Sequence, residues 1–209
     1  MIRPQGFRGA AFGTLAEGDL RFDRDGRDRV AAQLGIETEW AFVTQVHGDG
    51  VVAVSRAGLQ GEADAMFTTE QGIPLAVATA DCVPVILEGP GVAAVIHSGW
   101  RGAAAGVVGA TRRAIERTGL TIERAAIGPA VGPACYEVGD EVAGRFPGFV
   151  AQTSWGSQSI DLPAIIADQL DGIDVWRSSV CTFTDAAFAS YRRNRTELRQ
   201  IAVTWLPKR

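Results

Sequence analysis

The stretch Val92-Ala93-Ala94-Val95-Ile96-His97-Ser98-Gly99-Trp100-Arg101-Gly102 decides the architecture. Its first five residues form an unbroken apolar run, the pattern of a strand covered on both faces. That strand carries His97 to its C-terminal end. The next segment, 103–118, is rich in Ala, Val and Ile and suits a helix packed back on the sheet, with Gly119 as its stop. A buried strand feeding a covering helix is the unit of an α/β fold.

The surrounding sequence extends that unit. Upstream, Gly89-Pro90-Gly91 makes a turn from the strand 83–87, which follows a buried strand over 73–79 and the segment Thr79-Ala80-Asp81-Cys82. Earlier still, the runs 42–46 and 51–54 are separated by His47-Gly48-Asp49-Gly50, a turn signal that places His47 at a strand end. The first 30 or so residues, rich in Gly, Arg and Asp, hold a short strand and then a helix from about Asp25 to Leu34 that stops at Gly35. Downstream come a strand over 121–127, the stiff loop Gly128-Pro129-Ala130-Val131-Gly132-Pro133, and a helix over 161–171 capped by Asp161. Late strands follow over 173–177 and 199–206. With no repeat, low-complexity linker or composition break, the pattern predicts one mixed α/β domain over 1–209.

Composition narrows the function. The chain has 209 residues, 46% of them hydrophobic, and a net charge of −4, which gives no support for a nucleic-acid surface. No apolar run approaches the roughly 20 residues of a membrane span. The first residues lack the charged-then-apolar design of a secretory signal. Three widely spaced cysteines, Cys82, Cys135 and Cys181, suit reduced thiols and a cytoplasmic protein. The one basic concentration, Arg192, Arg193 and Arg195, reads either as a solvated turn or as an anion-binding edge.

Chemistry concentrates on very few residues. Both histidines of the chain, His47 and His97, stand at glycine-flanked strand ends, and Cys82 stands at another. Two imidazoles and a thiolate supply three ligands to a zinc-like ion and leave a fourth position open, the count of a catalytic rather than a closed structural site. Arg101 brings a planar fork of donors suited to phosphate or carboxylate at the start of the following helix. Asp81 reads as a carboxylate that orients a ligand imidazole, as an acid or base, or as an ordinary strand-end residue. Cys135 reads as a buried thiol and Tyr136 as a substrate contact. The same residues also fit an amide hydrolase in which Cys82 is the nucleophile and a histidine its base.

These segments resemble the family named for a laccase domain or multicopper polyphenol oxidase, more recently described as purine nucleoside phosphorylases. The resemblance runs from about Trp40 to the C-terminus. It is carried by Gln45-Val46-His47-Gly48, Ala63-Asp64-Ala65, Thr79-Ala80-Asp81-Cys82-Val83-Pro84, His97-Ser98-Gly99-Trp100-Arg101-Gly102, Gly128-Pro129 through Tyr136-Glu137-Val138, and Ser190-Tyr191-Arg192-Arg193.

It implies a layered α/β/β/α sandwich with mixed sheets, and zinc, or copper, bound by His47, Cys82 and His97. It further implies phosphorolysis of adenosine, inosine and related purine nucleosides, with adenosine deamination as a side activity. The partners are then purine nucleosides and phosphate, in a monomer or small homo-oligomer. By position Arg101 inherits an anion-binding, catalytic role; the resemblance names no proton donor to the departing base, for which Asp81 is the candidate, and Tyr136 is a candidate substrate contact. The pattern departs at Asn194-Arg195-Thr196-Glu197-Leu198-Arg199, where the family typically continues with an acidic residue and Gly. A complete laccase needs a blue-copper centre and a trinuclear cluster, and two histidines leave none for the second. Copper-dependent phenol oxidation at the single site is the residual oxidase reading. The His-x-Glu and Pro-Cys-x-x-Cys signature of zinc deaminases is absent, so deamination would need another proton shuttle.

Overall fold

The computed structural model describes residues 1–208. In chain order its elements begin with β1 (Ala10–Phe12), α1 (Arg24–Leu34), β2 (Ala41–Thr44), β3 (Val51–Ala53), β4 (Gly58–Glu62), β5 (Ala65–Thr68), β6 (Leu75–Thr79), β7 (Val83–Gly89) and β8 (Val92–Ser98). They continue with α2 (Trp100–Ala105), α3 (Val107–Glu116), β9 (Arg124–Ile127), α4 (Asp140–Ala143), β10 (Val150–Gln152), β11 (Gln158–Ile160), α5 (Leu162–Asp168), β12 (Asp174–Arg177), α6 (Tyr191–Asn194) and β13 (Gln200–Thr204).

Two mixed sheets carry the fold. One has the order β1-β13-β6-β2-β4 and the other β12-β9-β7-β8-β5-β3; β10 and β11 form a separate hairpin. Side chains from both sheets, among them Phe12, Met66, Leu75, Val77, Ile86 and Val95, meet in a common interlayer. The opposite face of the five-stranded sheet packs Ala76, Ala78, Ile201 and Val203 against Leu20 and Val30 of the α1 region. The opposite face of the six-stranded sheet packs Val85, Leu87, Ala94 and Ile96 against helical residues such as Val107, Val108, Ile115, Ile165 and Ile166. The layers are therefore α/β/β/α. Alternation along β6 shows why its run is apolar throughout: Leu75 and Val77 face the interlayer while Ala76 and Ala78 face α1.

The helices begin and end where the chemistry of their caps dictates. Asp23 and Asp161 accept from the backbone of Gly26 and Ala164, at 2.8 and 2.9 Å, and Gly35 closes α1 in the left-handed conformation. The helix expected over 103–118 differs. It starts at Trp100 and breaks at Gly106, whose φ of 83° closes α2 after six residues before α3 begins. The late strands are shorter than the apolar runs suggest, β9 starting at Arg124 and β13 ending at Thr204. The polar, exposed β4 carries no alternating pattern that would announce it.

Candidate active site

Three chain segments converge where the two sheets meet. His47 follows β2 of the five-stranded sheet, Cys82 lies in the link from β6 to β7 that crosses between the sheets, and His97 stands near the end of β8. Gln45 fixes the first of these: its side-chain amide donates to the Ala78 carbonyl and accepts from the Ala78 N–H, both at 2.8 Å. This side chain stands in for a strand partner and continues the β2–β6 pairing beyond Thr44. His47 then turns with φ of 61°, an unfavourable region for a non-glycine residue.

Asp64 holds that turn. Its carboxylate accepts from the backbone N–H of Val46 (3.3 Å), His47 (3.0 Å) and Gly48 (2.6 Å). The same carboxylate accepts from Nδ1 of His97 at 2.8 Å. Asp64 is fully buried, and burial works against its charge. The hydrogen bonds from His97, Gly48 and His47, with the charge on His97, outweigh burial and hold its carboxyl below the usual range. Register puts it there: in the antiparallel β5–β8 pair Ala65 stands opposite Ile96, so Asp64 meets His97, whose N–H donates to the Asp64 carbonyl at 2.7 Å.

With Nδ1 of His97 engaged, Nε2 faces the other donors. The candidate ligand atoms of His47, Cys82 and His97 all lie within 4.8 Å of one another, and Cys82 Sγ is 4.0 Å from His47 Nε2. The two imidazoles meet edge to face, with centroids 4.8 Å apart. Gly99 clears the space beside them, since a Cβ there would lie 3.0 Å from Cys82 Sγ and 3.2 Å from His47 Cδ2. Burial pushes the Cys82 thiol up, but the charge of His97 and hydrogen bonds from both imidazoles bring it down to about 6. Burial would lower His97, yet the Cys82 thiolate and Asp64 raise it to about 9. Cys82 and His97 thus each favour the charged form of the other.

Of the three readings open for Asp81, imidazole orienter, acid or base, and ordinary strand-end carboxylate, the structure does not give the first. Asp81, with φ of 92°, accepts from Thr182 Oγ1 at 2.7 Å and from the Arg192 N–H at 2.6 Å, so both oxygens are engaged away from the histidines. Asp64 orients His97 instead.

The helix-terminus part of the Arg101 expectation also changes, because a six-residue α2 aligns few peptide dipoles. What remains is the guanidinium itself, exposed and lying 4.2 Å over the Trp100 ring. Trp100, Tyr136 and Arg192 line a shallow pocket of about 420 Å³. The Arg192 guanidinium lies 5.0 Å over the Tyr136 ring and donates to the Glu137 carbonyl at 2.7 Å. Burial, then the negative charges of Cys82 and Asp81, push the Tyr136 phenol up to about 12 against the opposing pull of Arg192 and Arg101. Tyr136 therefore stays a neutral phenol.

Arg193 belongs to the scaffold: its guanidinium donates to the carbonyls of Thr182, Phe183, Asp185 and Phe188. Arg195, with φ of 55°, lies over Tyr191. The basic concentration is thus neither a free turn nor a single anion edge. Cys135 is buried, and burial with the neighbouring Cys181 pushes its thiol up to about 11.

A cleft of about 830 Å³ opens along the α1 face of the five-stranded sheet. His47, Cys82 and His97 line it together with Thr44, Gln45 and Phe42. Its size lies in the range of whole small-molecule sites. Among the described residues no helix is long and apolar enough to cross a membrane.

Proteins named purine nucleoside phosphorylase are similar over most of the chain. One from Streptomyces coelicolor is 40% identical over 195 residues, covering 86% of this chain and 81% of that protein. One from Streptomyces griseus is 39% identical over 196 residues, covering 86% and 80%. Among solved structures, YlmD from Geobacillus stearothermophilus superposes with a TM-score of 0.79 at 30% identity, covering 89% of this chain and 82% of that one. The hypothetical protein YfiH from Bacillus licheniformis gives the same TM-score at 28% identity, with 88% and 80% covered. The family model described as multi-copper polyphenol oxidoreductase laccase matches residues 14–207, and the chain belongs to that family.

Proposed function

We propose that the chain is a zinc-dependent purine nucleoside phosphorylase acting on adenosine, inosine and related nucleosides. The observation that carries the reading is the convergence of His47, Cys82 and His97 in the wall of a nucleoside-sized cleft. The names of the similar proteins support it. The donor set fits zinc: one low-pKa thiolate, one imidazole with its tautomer fixed by a carboxylate, and a second imidazole within reach. Copper also accepts such a set, and zinc is the ion we assign. Bound there, the ion would supply Lewis acidity to a substrate oxygen.

The remaining chemistry falls to the side chains. The nucleoside occupies the cleft, and phosphate enters from the side of Arg101, Arg192 and Tyr136. Arg101 binds phosphate oxygens as a charged fork of donors, and the neutral Tyr136 phenol donates a further hydrogen bond. An oxygen of hydrogen phosphate bonds to the anomeric carbon as the C–N bond breaks, that bond's electron pair leaves on the purine nitrogen, and the proton released by the phosphate ends on the departing base. The products are free base and ribose 1-phosphate. Asp81 acts by holding the Arg192 backbone and Thr182 rather than by touching substrate, so it is a positioning residue. Adenosine deamination and cytoplasmic residence belong to the same proposal.

The test is base release from inosine and adenosine by zinc-loaded protein, with and without phosphate. Release that needs phosphate and yields ribose 1-phosphate is expected; no release from a protein with zinc in place would overturn the reading. One observation favours a second reading. The support that Cys82 and His97 give to each other's charged form suits a cysteine nucleophile when no ion is bound. Turnover of amide substrates by metal-free protein, abolished by alkylation, would select it.

A further inference from the structure

Two thiols that the phosphorylase reading leaves unused stand together, each one residue from a side chain already described: Cys135 before Tyr136, and Cys181 before Thr182. The stiff loop after β9 and the segment after β12 run side by side. Ala130 pairs with Cys181 in a parallel bridge, and the Thr182 N–H donates to the Ala130 carbonyl at 3.0 Å. The Gly132 N–H then donates to Cys181 Sγ at 3.2 Å. Even the Cβ that Gly132 lacks would stand only 3.7 Å from that sulfur, so the loop lies directly on it. A single 3-10 turn, Pro133–Cys135, folds the chain back, closed by the Cys135 N–H on the Gly132 carbonyl at 3.0 Å. The turn sets the Cys135 thiol in hydrogen-bonding reach of the Cys181 thiol. Both are free thiols in one apolar cluster.

The two differ as a reacting and a resolving thiol must. Cys181 is partly exposed, whereas Cys135 is only 4% exposed. Burial works against a charge on Cys181. Backbone N–H groups of Gly132, Thr184 and Phe183, with the Thr184 hydroxyl, outweigh burial and hold this thiol below its usual value. Cys135 is kept protonated, first by burial and then by the charge of Cys181 beside it. The thiolate is the form that attacks a peroxide oxygen, and susceptibility follows thiolate character and access. Cys181 has both. Cys135 has neither, yet it neighbours the thiol that does, which is the arrangement of an oxidation-sensitive cysteine and its resolving partner.

We propose that Cys181 and Cys135 form a hydroperoxide-oxidisable pair, in which Cys181 reacts first and Cys135 resolves it to a disulfide. The Cys181 sulfur bonds to one oxygen of the hydroperoxide as the O–O bond breaks. That sulfur becomes a sulfenic acid, and the other oxygen leaves as hydroxide or alkoxide and takes a proton from water. The Cys135 sulfur then bonds to the Cys181 sulfur as the S–O bond breaks, and the hydroxyl leaves as water with the Cys135 proton. The two thiols lose two electrons and the hydroperoxide gains them; a dithiol reverses the change. The bond ties the loop before Tyr136 to the segment whose Thr182 holds Asp81 at 2.7 Å. It therefore forms beside the site without consuming any of the three donors, and this chemistry is independent of the phosphorolysis proposed above.

Peptide mapping of the zinc-loaded protein after brief hydrogen peroxide treatment tests this, with free thiols alkylated at the quench. The expected product is a Cys135–Cys181 disulfide, with both residues lost from the alkylated fraction together and both recovered on adding dithiothreitol. Wild-type protein answers that question without any variant having to fold. Serine variants read the order of events. Cys135→Ser should accumulate a sulfenic acid at Cys181 that dimedone traps, whereas Cys181→Ser should leave Cys135 a reduced thiol. Three wild-type results overturn the pair: a disulfide that includes Cys82, Cys181 carried on to sulfinic acid while Cys135 stays free, or neither thiol lost under peroxide that oxidises free cysteine. Dimedone labelling of Cys135 in Cys181→Ser, with none of Cys181 in Cys135→Ser, overturns the assigned order.

Discussion

Asp64 accepts from Nδ1 of His97 at 2.8 Å while the same carboxylate collects the backbone N–H groups of the His47 turn, so one buried acid sets the geometry of both histidines. Replacing it leaves the triad in place chemically but undirected. Asp64→Asn is expected to weaken zinc binding about 10- to 100-fold, the usual effect of losing a carboxylate behind a ligand histidine. Competition with a chromophoric chelator reads this directly, and an unchanged affinity would contradict the role given to Asp64.

Gly99 provides a steric test. A methyl group there would stand 3.0 Å from Cys82 Sγ and 3.2 Å from the His47 ring, so one of the two must move. We expect Gly99→Ala to fold, as its φ of −79° suits any residue, yet to lose most of its zinc affinity. Zinc content alongside a thermal melt separates the two effects. Full zinc occupancy would show that the site has room to spare.

Arg101 should matter for one substrate and not the other. Arg101→Ala is expected to raise the KM for phosphate about tenfold or more, the loss of a charged hydrogen bond, with little change in the KM for inosine. An unaltered phosphate dependence would remove Arg101 from the site.

Cys82 reports the state of the centre through its reactivity. In metal-free protein, alkylation by iodoacetamide should rise with a midpoint of about pH 6, because the thiolate forms there, and one equivalent of zinc should suppress it. A midpoint near the ordinary thiol value of about 8.5 would mean that His97 and His47 do not hold the charge as described.

Acid should loosen the entry segment. Burial works against a charged Asp19, but the hydrogen bonds and charge of Arg21 and the Arg199 N–H hold its carboxyl below the usual value. A lowered folded-state pKa gives stability that is present above about pH 4 and lost as pH falls through the folded value. Asp19→Asn should therefore lower the melting temperature at pH 7 and make little difference near pH 2. A difference that stays constant across that range would refute the linkage.

Much of this site is legible in the sequence because its donors are rare residues in marked places. His47, Cys82 and His97 stand at strand ends that apolar runs and glycines announce. Asp64 is harder to assign. Its stretch Ala63-Asp64-Ala65 marks the family resemblance, but only the β5–β8 register puts its carboxylate behind His97. The fold followed the same rule. The β6 and β8 strands are written in hydrophobicity, whereas the exposed β4 and the break at Gly106 depend on tertiary contacts and a single left-handed residue.

The donors come from both sheets, with Cys82 in the strap between them. Their separation is therefore a gauge of how the two layers sit on each other. A change in interlayer volume at Met66 or Val77, neither of which lines the cleft, turns one sheet against the other and pulls the imidazoles out of alignment. Chemistry in this protein should fail at a smaller disturbance than folding does, and its core residues should behave in activity assays as parts of the active site.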